Sequence, residues 1–167
     1  MSAQKTKAKK TPEEIAEENE RTNEVGLFNR ADAYLLCAKQ LIENPPAHLR
    51  FDAPIDFLFF HAAELYLKSY LRQKGEDVEA LKRFGHYHRL MCKKAAGFGL
   101  NLSPQIWDVF EFLDKTDAVI ESRYIRTGFK QGIEMAALLA IVEEVRACVK
   151  KQHEMAGVTL AATRALP

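Results

Sequence analysis

Residues Pro54 to Gln73 read PIDFLFFHAAELYLKSYLRQ. Ile55, Phe57, Leu58, Phe59, Phe60, Ala62, Ala63, Leu65, Tyr66, Leu67, Tyr70 and Leu71 cover most of a helical circumference. A helix that is apolar nearly all round is buried on more than one side, so it is the central helix of a bundle or also part of a subunit interface. One polar stripe remains, His61, Glu64, Lys68 and Arg72, spaced three, four and four apart. Glu64 and Lys68 are ordered for an i,i+4 pair, worth about 0.2–0.5 kcal/mol on an exposed helix. Asp52-Ala53-Pro54 starts this helix and Gly75 breaks it.

On the N-terminal side, Leu27, Phe28, Ala31, Tyr34, Leu35, Ala38, Leu41 and Ile42 recur at three- and four-residue steps, one apolar stripe that predicts an amphipathic helix ended by Asn44-Pro45-Pro46. Before it, Thr11-Pro12-Glu13-Glu14 gives an N-cap, a proline at N1 and first-turn acids for a short acidic helix that ends near Asn23. On the C-terminal side, a short amphipathic piece from Val78 to Phe84 leads through Gly85 to a helix from about His86 to Ala96, stopped by Gly97 and Gly99. Ser103-Pro104 caps and opens a further helix carrying Ile106, Val109, Phe110, Leu113 and Ile120. A break near Arg123 to Lys130 precedes a last long helix from about Gln131 to His153. No segment alternates with period two and no internal repeat is found, which makes the fold class all-α, an antiparallel helical bundle of about five main helices. The domain plan is a disordered basic tail over 1–11, one bundle over 12–155, and a flexible tail over 156–167.

The 167 residues fit one domain, and 24 basic against 23 acidic side chains leave a formal charge of +1. Global charge therefore argues for neither DNA coating nor membrane attraction; any such site must be local. No run approaches the about 20 apolar residues of a membrane span, and the basic N-terminus lacks the apolar core of a secretory signal, so a cytoplasmic protein is expected. Cys37, Cys92 and Cys148 form no C-x-x-C pair and sit at or beside apolar helix positions, where small core residues are expected. His48, His61, His88 and His153 have no metal-ligand spacing, and neither a metal nor another cofactor is implied.

Three segments stand in order: His61-Ala62-Ala63-Glu64 with Lys68 and Leu71, then Gly85-His86-Tyr87-His88-Arg89-Leu90, then Ser122-Arg123-Tyr124. The combination resembles the HEPN family (higher eukaryotes and prokaryotes nucleotide-binding domain), over about Leu27 to Lys151. The resemblance implies a helical bundle that commonly forms a homodimer, often beside a minimal nucleotidyltransferase, and in many members a metal-independent RNase of toxin–antitoxin or defence systems. Those RNases carry an R-x4-6-H motif. Here Arg123 and Arg126 occupy the matching neighbourhood with no histidine after either at that distance, while Arg83 and His88 have the spacing at a different place. Enzymatic activity is thus left open, with the missing histidine counting against it.

The run Lys82 to Lys94 holds Lys82, Arg83, Arg89, Lys93, Lys94, His86 and His88 without an acid, and Arg123, Arg126 and Lys130 make a second basic cluster. Taken with the resemblance, the expected nucleotide- or RNA-binding residues are Lys68, His86, Arg89, Arg123 and Tyr124, supported by the stripe residues His61, Glu64 and Arg72. His86, beside a helix start, could cap amides, meet an anion or bridge helices. Two further functions fit the same residues: a divergent RNase using His86 or His88, and a module for protein–protein contact whose stripe is a salt-bridged seam.

Overall fold

Stripe-wise burial organises the chain into helices, and the computed structural model describes residues 10–47, 52–116 and 133–160. Among these residues there are seven helices and no strand: α1 (Pro12–Arg21), α2 (Glu24–Glu43), α3 (Ala53–Gln73), α4 (Val78–Arg83), α5 (His88–Gly97), α6 (Pro104–Lys115) and α7 (Met135–Met155). No helix among them is long and apolar enough to cross a membrane.

α3 takes the central place that its nearly all-round apolar surface favours. Phe59, Tyr66, Leu67, Tyr70 and Leu71 are fully buried, and the helix packs against α2, α7, α5 and α4. Burying each large apolar side chain stabilises the fold by about 1.5–3 kcal/mol, so the stripes facing α3 decide which neighbours it takes. α2 supplies Phe28, Ala31, Leu35 and Ala38; α7 supplies Leu138, Ile141, Val142, Val145 and Val149. The alanines at 31 and 38 let α2 lie close, and Phe28 meets Tyr66 edge-on at 5.1 Å between ring centroids. α6 adds Ile106, Phe110 and Leu113, packing on α5 and α7.

Helix ends follow the sequence signals, with instructive exceptions. Thr11 and Glu14 form a complete capping box on α1. At the end of α3, Gly75 takes φ 95°, which lets Glu76 N reach Leu71 O at 3.1 Å and Gly75 N reach Arg72 O at 3.0 Å, the Schellman closure. Ser103 precedes Pro104 as expected but does not cap; its hydroxyl donates to Glu144 Oε2 of α7 at 3.1 Å. α5 begins at His88 and not at His86, because Gly85 at φ 56° turns the chain and Tyr87 is extended as the N-cap. Gly97 ends α5 from within, and the reversal falls at Gly99.

The cysteines meet the expectation of small core residues only in part. Cys92 is buried and Cys148 partly so, but Cys37 is exposed, one position off the Leu35–Ala38 stripe. Beyond Gly157, Leu160 packs against the core, so the C-terminal segment is anchored at least that far. Arg123, Tyr124 and Arg126, the expected break around them, and His48 lie outside the described residues.

Candidate functional site

The stripe on α3 turns out to be covered. Between α4 and α5 the Gly85 turn folds back onto α3 and brings two partners to Glu64. Lys68 Nζ donates to Glu64 Oε1 at 2.6 Å and to the Gly85 carbonyl at 3.1 Å, while His86 Nδ1 donates to Glu64 Oε2 at 2.7 Å. His61 Nδ1 lies 3.9 Å from the same oxygen. Its ring is held in place by aromatic neighbours, edge-on to Tyr34 at 4.5 Å and stacked with Phe57 at 5.7 Å. Glu64 is 3% exposed. Burial pushes its carboxyl up, yet His61, Lys68 and His86 together outweigh that and hold it well below the usual carboxylate range. The cluster therefore contains an ionised carboxylate matched by the Lys68 ammonium, a buried pair and not the exposed one expected from spacing alone.

Side-chain exposure divides the expected site residues by role. Lys68 is 13% exposed and is bound on both sides, whereas His86 is 40% and Arg89 is 55% exposed. Of the expected site residues in this corner, His86 and Arg89 are the open ones and Lys68 is covered. Arg89 is paired with Glu111 Oε2 of α6 at 3.2 Å. Arg72 points elsewhere: its guanidinium donates to Asn19 O at 2.8 Å, Thr22 O at 2.9 Å and Glu76 O at 3.1 Å, fastening the C-terminal end of α1. Glu64, Lys68, His86 and His61 are thus brought together, Arg89 stands at the start of the adjoining helix, and Arg72 is not part of the cluster.

The α5 start, where an anion could have bound, is already occupied. Asp114 Oδ1 accepts from His88 N and Oδ2 from Arg89 N, each at 3.0 Å, so a carboxylate from α6 takes the amides that a phosphate would use. His88 itself is fully buried and its Nε2 donates to the Phe60 carbonyl at 2.9 Å. Burial pushes its imidazole down towards the neutral form. A ring so placed has no path to a 2′-hydroxyl, which removes His88 from the residues an RNase could use. The acid-free run is also less positive than its sequence: Lys82 meets Glu18 and Glu79, and Lys94 meets Glu76 at 2.8 Å.

Comparison with protein-family models, with curated proteins and with solved structures finds no match. Among the described residues no group of histidines, cysteines and carboxylates is arranged to hold a metal.

Two polar clusters were not legible in the sequence. Tyr66 donates to Asp32 Oδ1 at 2.5 Å, and Arg146 grips the same carboxylate through Nε at 2.7 Å and Nη2 at 3.0 Å. Ser69 donates to the Glu24 carbonyl at 2.7 Å, so the 2.8 Å contact between its oxygen and His153 Nε2 requires that nitrogen to carry the proton. That is the reverse of a serine activated by a histidine base, and both groups are fully buried. The signal available beforehand was chemical: a tyrosine and a serine inside an otherwise apolar helix each need a partner.

Proposed function

We propose that the chain is a HEPN-type helical module that associates with nucleotide or RNA as a binding or regulatory partner and not as a catalyst. The observation that carries this is the meeting of two motif segments, 17 and 22 residues apart, through the Lys68–Gly85 and Glu64–His86 contacts. These contacts place the two segments at one edge of α3, where they can act as one polar site. In this reading Glu64 and Lys68 position the Gly85 turn and His86 and Arg89 present polar groups to phosphate, while Arg123 and Tyr124 are included on the resemblance alone. A homodimer, a nucleotidyltransferase partner and a toxin–antitoxin or defence setting belong to the same proposal.

Binding of a labelled single-stranded RNA tests it. The Arg89→Ala/Arg123→Ala variant is expected to lower the slope of log affinity against log salt by about 0.7 for each lost phosphate contact. An unchanged slope and affinity, or no binding by the unaltered chain, would count against the proposal. A second reading, a module for protein–protein contact, is favoured by the pairing of Lys82, Arg89 and Lys94 with carboxylates. A stable hetero-complex with no affinity for RNA or nucleotide would select it.

A further inference from the structure

Among the described helices, α1 differs from the rest in burying no residue. Its attachment is polar and comes in two kinds. The C-terminal end is pinned by bonds to uncharged groups: Arg72 on the Asn19 and Thr22 carbonyls, and Val78 N on Asn19 Oδ1 at 2.9 Å. The residues before Asn19 are held by charge, at Glu18 at the end of the second turn. Glu18 accepts from Lys82 Nζ at 2.5 Å and from Lys10 Nζ at 2.6 Å, with Glu79 also 3.0 Å from Lys82. An open polar depression lined by Lys10, Glu14, Glu17, Glu18, Arg21 and Thr22 runs along this helix.

Exposed ion pairs weaken as salt screens them, and a helix of 10 residues has little stability of its own. We propose that the first two turns of α1 are a charge-latched arm, with Glu18 as the latch, that shields Lys82 and yields it to the phosphates of a competing single-stranded RNA. The competitor's class rests on the RNA-associated reading above. The arm carries Glu13, Glu14 and Glu17 as well, so an RNA chain and a closed arm repel one another.

Hydrogen exchange on the full chain reads the latch directly. The amides of Ile15 to Glu18 are expected to lose protection between about 50 mM and about 500 mM salt while those of α3 do not, and Glu18→Gln is expected to show the loss already at low salt. Protection that is insensitive to salt and equal in Glu18→Gln would overturn the arm. With a fluorescein-labelled single-stranded RNA, Glu18→Gln is expected to bind about threefold tighter, the scale of one exposed ion pair. Glu20→Gln removes the same charge from the same helix without touching the latch; an equal gain there, or no gain in Glu18→Gln, would overturn the shielding. Salt-dependent opening with no RNA binding by any variant would uphold the arm and sink the RNA-associated reading.

Discussion

At Glu64 a carboxylate, an ammonium and an imidazole share one covered edge of α3, and neither charge would be stable there alone. Replacing Glu64 by Gln keeps the shape but leaves the Lys68 ammonium facing a neutral amide in a site only 13% exposed. Removing one member of a buried pair costs about 3–5 kcal/mol, and the Gly85 carbonyl, which still accepts from Lys68, puts the expected loss near the lower end, about 3 kcal/mol. A urea unfolding midpoint measures it, and a loss under about 1 kcal/mol would show that the pair behaves as an exposed one. Spacing made the stripe legible: His61, Glu64 and Lys68 do share a face. Its burial was not legible, since periodicity within a helix says nothing about which distant loop folds over it. Arg72 shows the same limit, correctly placed on the stripe yet directed to the carbonyls of α1.

α5 illustrates what an element owes to its neighbour. Its first residue follows a glycine turn, Tyr87 makes no side-chain cap, and the first amides are satisfied by Asp114 from α6. Asp114→Ala is expected to cost about 1 kcal/mol, the scale of a lost N-cap, and to increase exchange at His88 to Met91 ahead of the rest of α5. Unchanged exchange there would mean that water replaces the carboxylate without loss. The helices themselves were legible because three- and four-residue stripes, prolines at N1 and glycines at C′ all act locally. The α5 boundary was misplaced by two residues because the cap comes from a side chain 26 positions away. Ser103 is the converse case, a local cap signal overridden by Glu144 on α7. Arg123 and Tyr124, the third motif segment, lie outside the described residues, and the contacts at Glu64 come from the first two segments.

The whole molecule is tied together by groups that no local pattern reveals: Asp32 with Arg146 and Tyr66 between α2, α7 and α3, and Glu24, Ser69 and His153 between the same three helices. The second set makes stability depend on pH in a predictable direction. His153 is fully buried, packs edge-on to Phe28 and donates from Nε2 to Ser69, while its Nδ1 has no hydrogen-bond partner among the described residues. Burial pushes its imidazole below the ordinary histidine range; Lys74 adds to the shift and the Glu24 charge opposes it. In the unfolded chain the same ring takes a proton near about pH 6.5, so just below that pH the unfolded state binds more protons and the fold loses stability as pH falls. The loss is at most about 1.4 kcal/mol per pH unit for this one group. His88, also pushed down by burial, adds in the same sense, and Asp114, raised chiefly by its own burial, acts in the opposite one. A His153→Gln variant isolates the contribution, since the amide keeps a donor for Ser69 and does not titrate. It is expected to be less stable than the unaltered chain at about pH 8, with the deficit narrowing by roughly 1 kcal/mol towards about pH 5 as the histidine loses its advantage. Unfolding midpoints at the two pH values decide it: a deficit that stays constant would mean that His153 is protonated in the folded protein and that the Glu24–Ser69–His153 cluster accommodates the charge.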